Sequence, residues 1–155
     1  MVDYICGQPN GEKEPYVFDI HQWNLRFPSR HHIVADMKAK LQCIDREDFN
    51  DFEQLIDYVA ERRQPHFGDT AIYDFALRYG WNRDPRRVPE RFVYVHSKPL
   101  RAALRLKELG YLNEVARKLP LTSYAEALPG LAAMDVEHFL CLFHDEIMKL
   151  KPINN

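Results

Sequence analysis

The residues best suited to chemistry in this 155-residue chain lie where a strand-like run ends and a helical pattern begins. His96 closes the run Phe92–His96, Ser97 follows it, and Lys98 and Arg101 come next in the helical pattern. Backbone N–H groups at the start of a helix, with cations beside them, can hold an anion. We therefore expect an anion-binding site, with two further arginines completing the candidate set of His96, Ser97, Lys98, Arg101, Arg105 and Arg78.

These candidates belong to a strongly basic segment. Residues 83–107 contain eight basic and two acidic residues, a formal charge of +6, although the whole chain carries only −2. Residues 45–61 contain seven acidic residues and one basic residue, a formal charge of −6. Such segregated charge predicts that the two segments face each other within the fold, face two different partners, or pair between the subunits of a homo-oligomer.

Three classes of function fit this pattern. The favoured one is a binding module that uses residues 83–107 to hold an anionic ligand or an acidic protein partner. The second is nucleic-acid binding through the same surface, with Trp81, Phe92 and Tyr94 as stacking groups. The acidic segment argues against it, because it repels phosphates unless it lies on another face. The third is a small enzyme that acts on an anionic substrate with His96.

Other residues of catalytic or metal-binding type are less well placed. Zinc usually takes convergent ligands from two elements, whereas the candidate ligands near the C-terminus share one predicted helix, namely His138, Cys141, His144 and Asp145. Arg26 and His31 have a spacing found in some helical ribonucleases, but Pro28 interrupts a helix there. Residues 128–132 resemble a helix-hairpin-helix turn in which Ala132 replaces a glycine. We expect neither a metal nor a cofactor.

The apolar periodicity predicts a mainly α-helical fold of five to seven helices, with at most a small two-stranded β element. One helix, capped by Asp45, would bury the stripe Phe49, Phe52, Leu55, Ile56 and Val59. The next would start with Asp69 as its cap and end at Gly80 in the left-handed conformation.

The second half of the chain also shows helical spacing. Ser97 is expected to cap a helix that ends at Gly110, and residues 112–119 are expected to form another. The last helix would be capped by Asp135 and would have an apolar face that extends to Leu150. The strand-like run 92–96 needs a partner, and residues 16–20 are the predicted one.

Length and composition favour one globular domain over residues 1–155, with 1–15 as an irregular arm. The three cysteines Cys6, Cys43 and Cys141 are widely spaced and odd in number, which indicates reduced thiols in a cytoplasmic protein. Neither a secretion signal nor a membrane span is expected, because the N-terminus lacks an apolar core and no apolar run is long enough.

The run Asp69–Gly80, followed by Val93–His96 and a basic helix, resembles uncharacterised bacterial proteins. The resemblance covers about residues 67–110 and extends to Val136–Cys141. It implies that the two segments form one unit, and it implies no activity.

Overall fold

The computed structural model describes residues 39–63, 65 and 67–152. The chain divides into two compact units, an N-terminal unit that ends at Val88 and a C-terminal unit that begins at Pro89. The mainly α-helical class with a small two-stranded sheet is confirmed. The single domain over 1–155 stays a prediction, and the arm 1–15 and the strand 16–20 lie outside the described residues.

In the N-terminal unit, helix α1 (Phe52–Glu61) follows a short 3₁₀ turn, Ile44–Arg46. The predicted apolar stripe is confirmed, since all five of its residues are buried. Asp51 caps α1 by accepting a hydrogen bond from the Gln54 N–H at 2.9 Å, so the prediction of Asp45 as the cap is wrong. The Asp45 carboxylate instead accepts a hydrogen bond from the Tyr79 hydroxyl at 2.8 Å.

Helix α2 (Asp69–Trp81) packs on α1. Its N-cap is Gly68, so Asp69 begins the helix and does not cap it. Gly80 is buried inside the helix, and the prediction that it ends the helix in the left-handed conformation is wrong. Position 80 requires a glycine because the main chain of Arg87 lies against it. The Arg87 N–H donates to the Gly80 carbonyl at 2.9 Å, and a Cβ on Gly80 would overlap the Arg87 carbonyl.

The loop after α2 is held to the segment before α1 by arginine side chains. Arg83 donates from Nη2 to the Glu47 carbonyl at 2.9 Å, and the Arg87 Nε–H donates to the Phe49 carbonyl. Both acceptors are backbone oxygens, which a guanidinium satisfies with charge-assisted hydrogen bonds. The basic loop and the acidic segment therefore do meet in this unit, but through main-chain carbonyls.

The C-terminal unit begins with an antiparallel pair of short strands, β1 (Phe92–Tyr94) and β2 (Lys118–Pro120). Val93 lies opposite Leu119 in the ladder, and both are buried. Helix α3 (Ser97–Glu108) follows β1, and helices α4 (Ala133–Leu142) and α5 (His144–Lys149) complete the unit by packing on α3.

The predicted helix over residues 112–119 is wrong, because residues 112–117 are irregular and 118–120 form β2. Main-chain pairing with the first strand decides the outcome: the Val95 N–H donates to the Arg117 carbonyl at 2.9 Å, and the Leu121 N–H donates to the Arg91 carbonyl at 2.8 Å. Apolar spacing alone does not separate a short strand from a helical turn.

The predicted last helix is divided in two, since α4 ends at Leu142 and α5 begins at His144. The N-cap of α4 is Ala132, so the prediction of Asp135 as the cap is wrong. The break turns part of the expected apolar face outward, and Phe143 is 42% exposed. Val136, Leu140 and Ile147 still enter the core. None of the helices within the described ranges combines the length and the apolar character that a membrane span requires.

We predict that Gly80→Ala destabilises the protein by about 1 to 3 kcal/mol, the usual range for overpacking a well-packed site. The added methyl group meets the main chain of Arg87, which cannot move without losing the hydrogen bond to the residue 80 carbonyl. Urea unfolding measures the change. Gly68→Ala is the matched control, because a Cβ there meets no atom within 4 Å. Equal stability of the two variants would contradict the close contact.

Candidate functional site

The candidate site lies where β1 passes into α3. Val93 and Val95 are fully buried and fix the strand on the core of the C-terminal unit. Side chains alternate along a strand, so Phe92, Tyr94 and His96 share the other face. His96 is half-buried and occupies the N-cap position of α3.

Ser97 is exposed and adopts the left-handed conformation, with φ of 48°. This conformation costs a residue with a Cβ about 1 to 2 kcal/mol. The predicted role of Ser97 as the helix cap is wrong, because His96 holds that position and Ser97 is the first helical residue. The strand therefore turns into the helix at a strained corner, and the serine stands at the tip of that corner.

Lys98 and Arg101 are both exposed and lie on consecutive turns of α3. Residues three apart on a helix are neighbours on its surface. The first turn of α3 holds no acidic residue, so no carboxylate of that turn neutralises the two cations. Of the six predicted site residues, these two present a formal charge to solvent at the corner.

Arg105 has a role in the fold. Its Nη1 donates to Glu108 Oε2 at 2.9 Å, and its Nη2 donates to the Leu150 carbonyl at 2.6 Å. The guanidinium therefore joins α3 to the end of α5. Two of its nitrogens are occupied in this way, which leaves Arg105 less suited than Arg101 to contact a ligand.

Arg78 lies on α2 in the N-terminal unit, whereas the other five predicted residues lie in the C-terminal unit. Its charge acts on Asp74, one turn earlier in the helix. Burial raises the pKa of Asp74 to about 6, and Arg78 opposes that rise. Residues four apart on a helix are neighbours on its surface, which accounts for this interaction.

His144 and Asp145, which the sequence suggested only as metal ligands, lie at the start of α5, where the charge of Lys98 acts on Asp145. His144 is buried, and its Nδ1–H donates to Asp145 Oδ1 at 2.7 Å. This hydrogen bond lowers the pKa of Asp145, and the charge of Lys98 lowers it further. Their adjacency in sequence gave no signal, because the link to Lys98 depends on α5 packing against α3.

The orientation of His144 does not suit general base catalysis. In a catalytic dyad the carboxylate is buried and the second ring nitrogen faces the substrate. Here the Asp145 carboxylate is exposed, and His144 Nε2 is buried without a hydrogen-bond partner among the described residues. The pair therefore supplies a fixed negative charge near Lys98 and no accessible base.

No group of three metal-ligating side chains converges within the described part of the chain. His138 and Cys141 lie on α4, apart from the helix that carries His144 and Asp145. Cys43 and Cys141 are both exposed and are not joined to each other in a disulfide, and Cys6 lies outside the described residues.

The predicted stacking groups differ in their surroundings. Tyr94 is only 5% exposed, so its ring does not form a platform for a base. The Lys118 ammonium lies 4.6 Å from the centre of the Phe92 ring. Trp81, in the N-terminal unit, is exposed and carries the Arg86 guanidinium at 4.3 Å from its ring centre.

The chain matched none of the family models, curated proteins or solved structures with which it was compared. The two segments that carry the resemblance to uncharacterised bacterial proteins fall in different compact units, Asp69–Gly80 in the N-terminal one and Val93–His96 in the C-terminal one. The function must therefore be argued from the site itself.

We predict that Asp74→Asn stabilises the protein above pH 6 by about 1 to 3 kcal/mol. The pKa of Asp74 rises on folding from 3.8 to about 6, so the folded state favours the protonated carboxyl. Its contribution is fully present below pH 3.8 and is lost as the pH rises through 6. The gain from asparagine should thus be absent at pH 3.5 and complete near pH 7. Denaturant unfolding across this pH range measures the gain in stability.

A gain that does not vary with pH would contradict the burial of the Asp74 carboxylate. Asp57→Asn, on the exposed face of α1, is the control.

We also predict that Ser97→Gly is more stable than Ser97→Ala by about 1 kcal/mol. Both variants lose the hydroxyl, but only glycine removes the cost of the left-handed backbone at φ of 48°. Urea unfolding of the two variants isolates this difference. If alanine is as stable as glycine, the corner is not strained.

Proposed function

We propose that the C-terminal unit is a binding module that holds an anionic group through the exposed cations at the start of α3. Lys98 and Arg101 are the contacting residues, with the half-buried His96 and the exposed Ser97 beside them. The observation that carries the proposal is that these two cations project to solvent on neighbouring turns with no acidic residue in the first turn of the helix.

The rest of the basic segment supports this narrower assignment. Arg83 and Arg87 are bound to backbone carbonyls, Arg86 lies over Trp81, and Arg105 joins α3 to Leu150. These arginines are engaged in contacts within the fold. The formal charge of the segment therefore overstates the charge that is available to a ligand.

An acidic protein surface is the favoured ligand class. Exposed ion pairs contribute only about 0.2 to 1 kcal/mol each, so two cations bind weakly unless the partner supplies several carboxylates. A second copy of the chain offers such a surface in residues 45–61, where Asp57 and Glu61 are exposed. We infer a reducing, cytoplasmic setting, because the three cysteines are widely spaced and odd in number.

Nucleic-acid binding is the second outcome that the same experiment can reveal. Phe92 is half-exposed and has a cation over its ring, which is the environment of a stacking residue. The burial of Tyr94 reduces the aromatic surface on which that function depends. An enzyme that uses His96 gains no support from the His144–Asp145 pair, whose second ring nitrogen is buried.

We predict that the full chain binds polyglutamate at low salt and that Arg101→Glu weakens this binding at least about tenfold. The reversal replaces attraction by repulsion at the centre of the basic face, and binding should also fall with rising ionic strength as screening increases. Fluorescence anisotropy with labelled polyglutamate, repeated with a single-stranded DNA of equal charge, measures both ligand classes.

Lys151→Glu is the matched control, because Lys151 is exposed beyond α5 and its reversal changes the net charge equally. Polyglutamate binding that is absent at low salt, or that falls equally in both variants, would rule out the proposed site. Tight binding of DNA alone, sensitive to Arg101, would instead identify a nucleic-acid module.

A further inference from the structure

The solvent face of α3 carries an exposed leucine among its cations. Leu104 is 45% exposed and follows Arg101 by three residues, while Lys107 follows it by another three. We infer that the acidic partner is an amphipathic helical segment whose apolar side chain packs on Leu104. This inference rests on the proposed function, since the same face must first attract the partner's carboxylates.

The helical geometry places these residues on one surface. At 3.6 residues per turn, Ser97, Arg101, Leu104 and Glu108 form the central stripe of the exposed face. Ala102, Ala103 and Leu106 lie on the opposite side and are buried. A partner helix lying along α3 would therefore cover Arg101 and Leu104 together.

The charges along α3 surround Leu104 on both sides. The N-terminal half holds Lys98 and Arg101, and the last turn holds Arg105 and Lys107 together with Glu108, which is paired with Arg105 at 2.9 Å. Glu108 repels a carboxylate over the last turn, whereas the first turn of α3 holds no acidic residue. The acidic residues of the partner should therefore lie beside Lys98, Arg101 and Lys107, with the apolar residue over Leu104.

An apolar anchor distinguishes this partner from a simple anion. Phosphate or a polymer of acidic residues gains nothing from Leu104, because it brings no apolar surface to bury. Protein interfaces, in contrast, combine arginine with buried apolar contacts at their centre. The exposed leucine between two cations on successive turns thus favours a protein segment.

The chain offers a matched control leucine. Leu142, at the end of α4, is 63% exposed, which is more than Leu104. Its neighbours in the following turn are the acidic residues Asp145 and Glu146. An acidic partner should avoid this leucine, although exposure alone would favour it.

The test uses the full chain and two probes: polyglutamate, and a synthetic amphipathic helix with glutamates one and two turns before a leucine. We expect Leu104→Ser to weaken binding of the synthetic helix about tenfold, the scale of losing most of one buried leucine contact. Binding of polyglutamate should stay within about twofold of the wild type, and Leu142→Ser should change neither. Urea unfolding confirms that both serine variants are folded.

The outcomes separate the two claims. If Leu104→Ser and Leu142→Ser bind the synthetic helix as tightly as the wild type while Arg101→Glu does not, the leucine anchor is overturned and the anion site stands. If Arg101→Glu leaves both probes bound, the proposed function itself fails. Equal losses in both leucine variants also overturn the inference, because they would show apolar contact that does not depend on the neighbouring charges.

Discussion

The C-terminal unit depends on one main-chain constraint, the antiparallel pairing of residues 91–95 with 117–121. Val93 and Leu119 lie opposite each other in that ladder and are buried, which fixes the strand against the core. The position and direction of α3 follow, because only two residues separate the end of β1 from the start of the helix. Ser97, at the corner between the strand and the helix, is exposed. The exposed cations are thus placed by apolar packing and backbone hydrogen bonds.

The arginines of this chain either join elements of the fold or remain available to a ligand, and their burial distinguishes the two groups. Arg83, Arg87 and Arg105 each reach a backbone carbonyl that is distant in sequence, and all three are half-buried. A guanidinium carries five donors in a fixed fork, so it can join two elements while its stem packs on apolar surface. Arg101 differs because its turn of α3 faces solvent. Formal charge counted along a sequence therefore measures binding capacity poorly.

Local features could be predicted from the sequence, and features that depend on distant contacts could not. The buried stripe of α1 and the exposed cations of α3 follow from a period of 3.6 residues. The strand β2 was missed, because its pairing with β1 spans more than twenty residues and its apolar spacing also fits a helix. Gly80 was predicted to end a helix, but a glycine is required there because the main chain of Arg87 lies against it. The hydrogen bond from Arg105 to the Leu150 carbonyl could not be predicted, because it depends on where the end of α5 lies.

The packing of α5 on α3 carries an electrostatic consequence. Lys98 acts on Asp145 near the start of both helices, and Arg105 reaches Leu150 at the end of α5, so the two helices run parallel. Parallel neighbours place their dipoles side by side with like ends together, which is unfavourable. Asp145 sets a negative charge beside the two positive ends, and Arg105 sets a positive charge at the negative end of α5. Arg105 thus offsets the negative end of α5, whereas the single carboxylate of Asp145 leaves the start of α3, with Lys98 and Arg101, net positive.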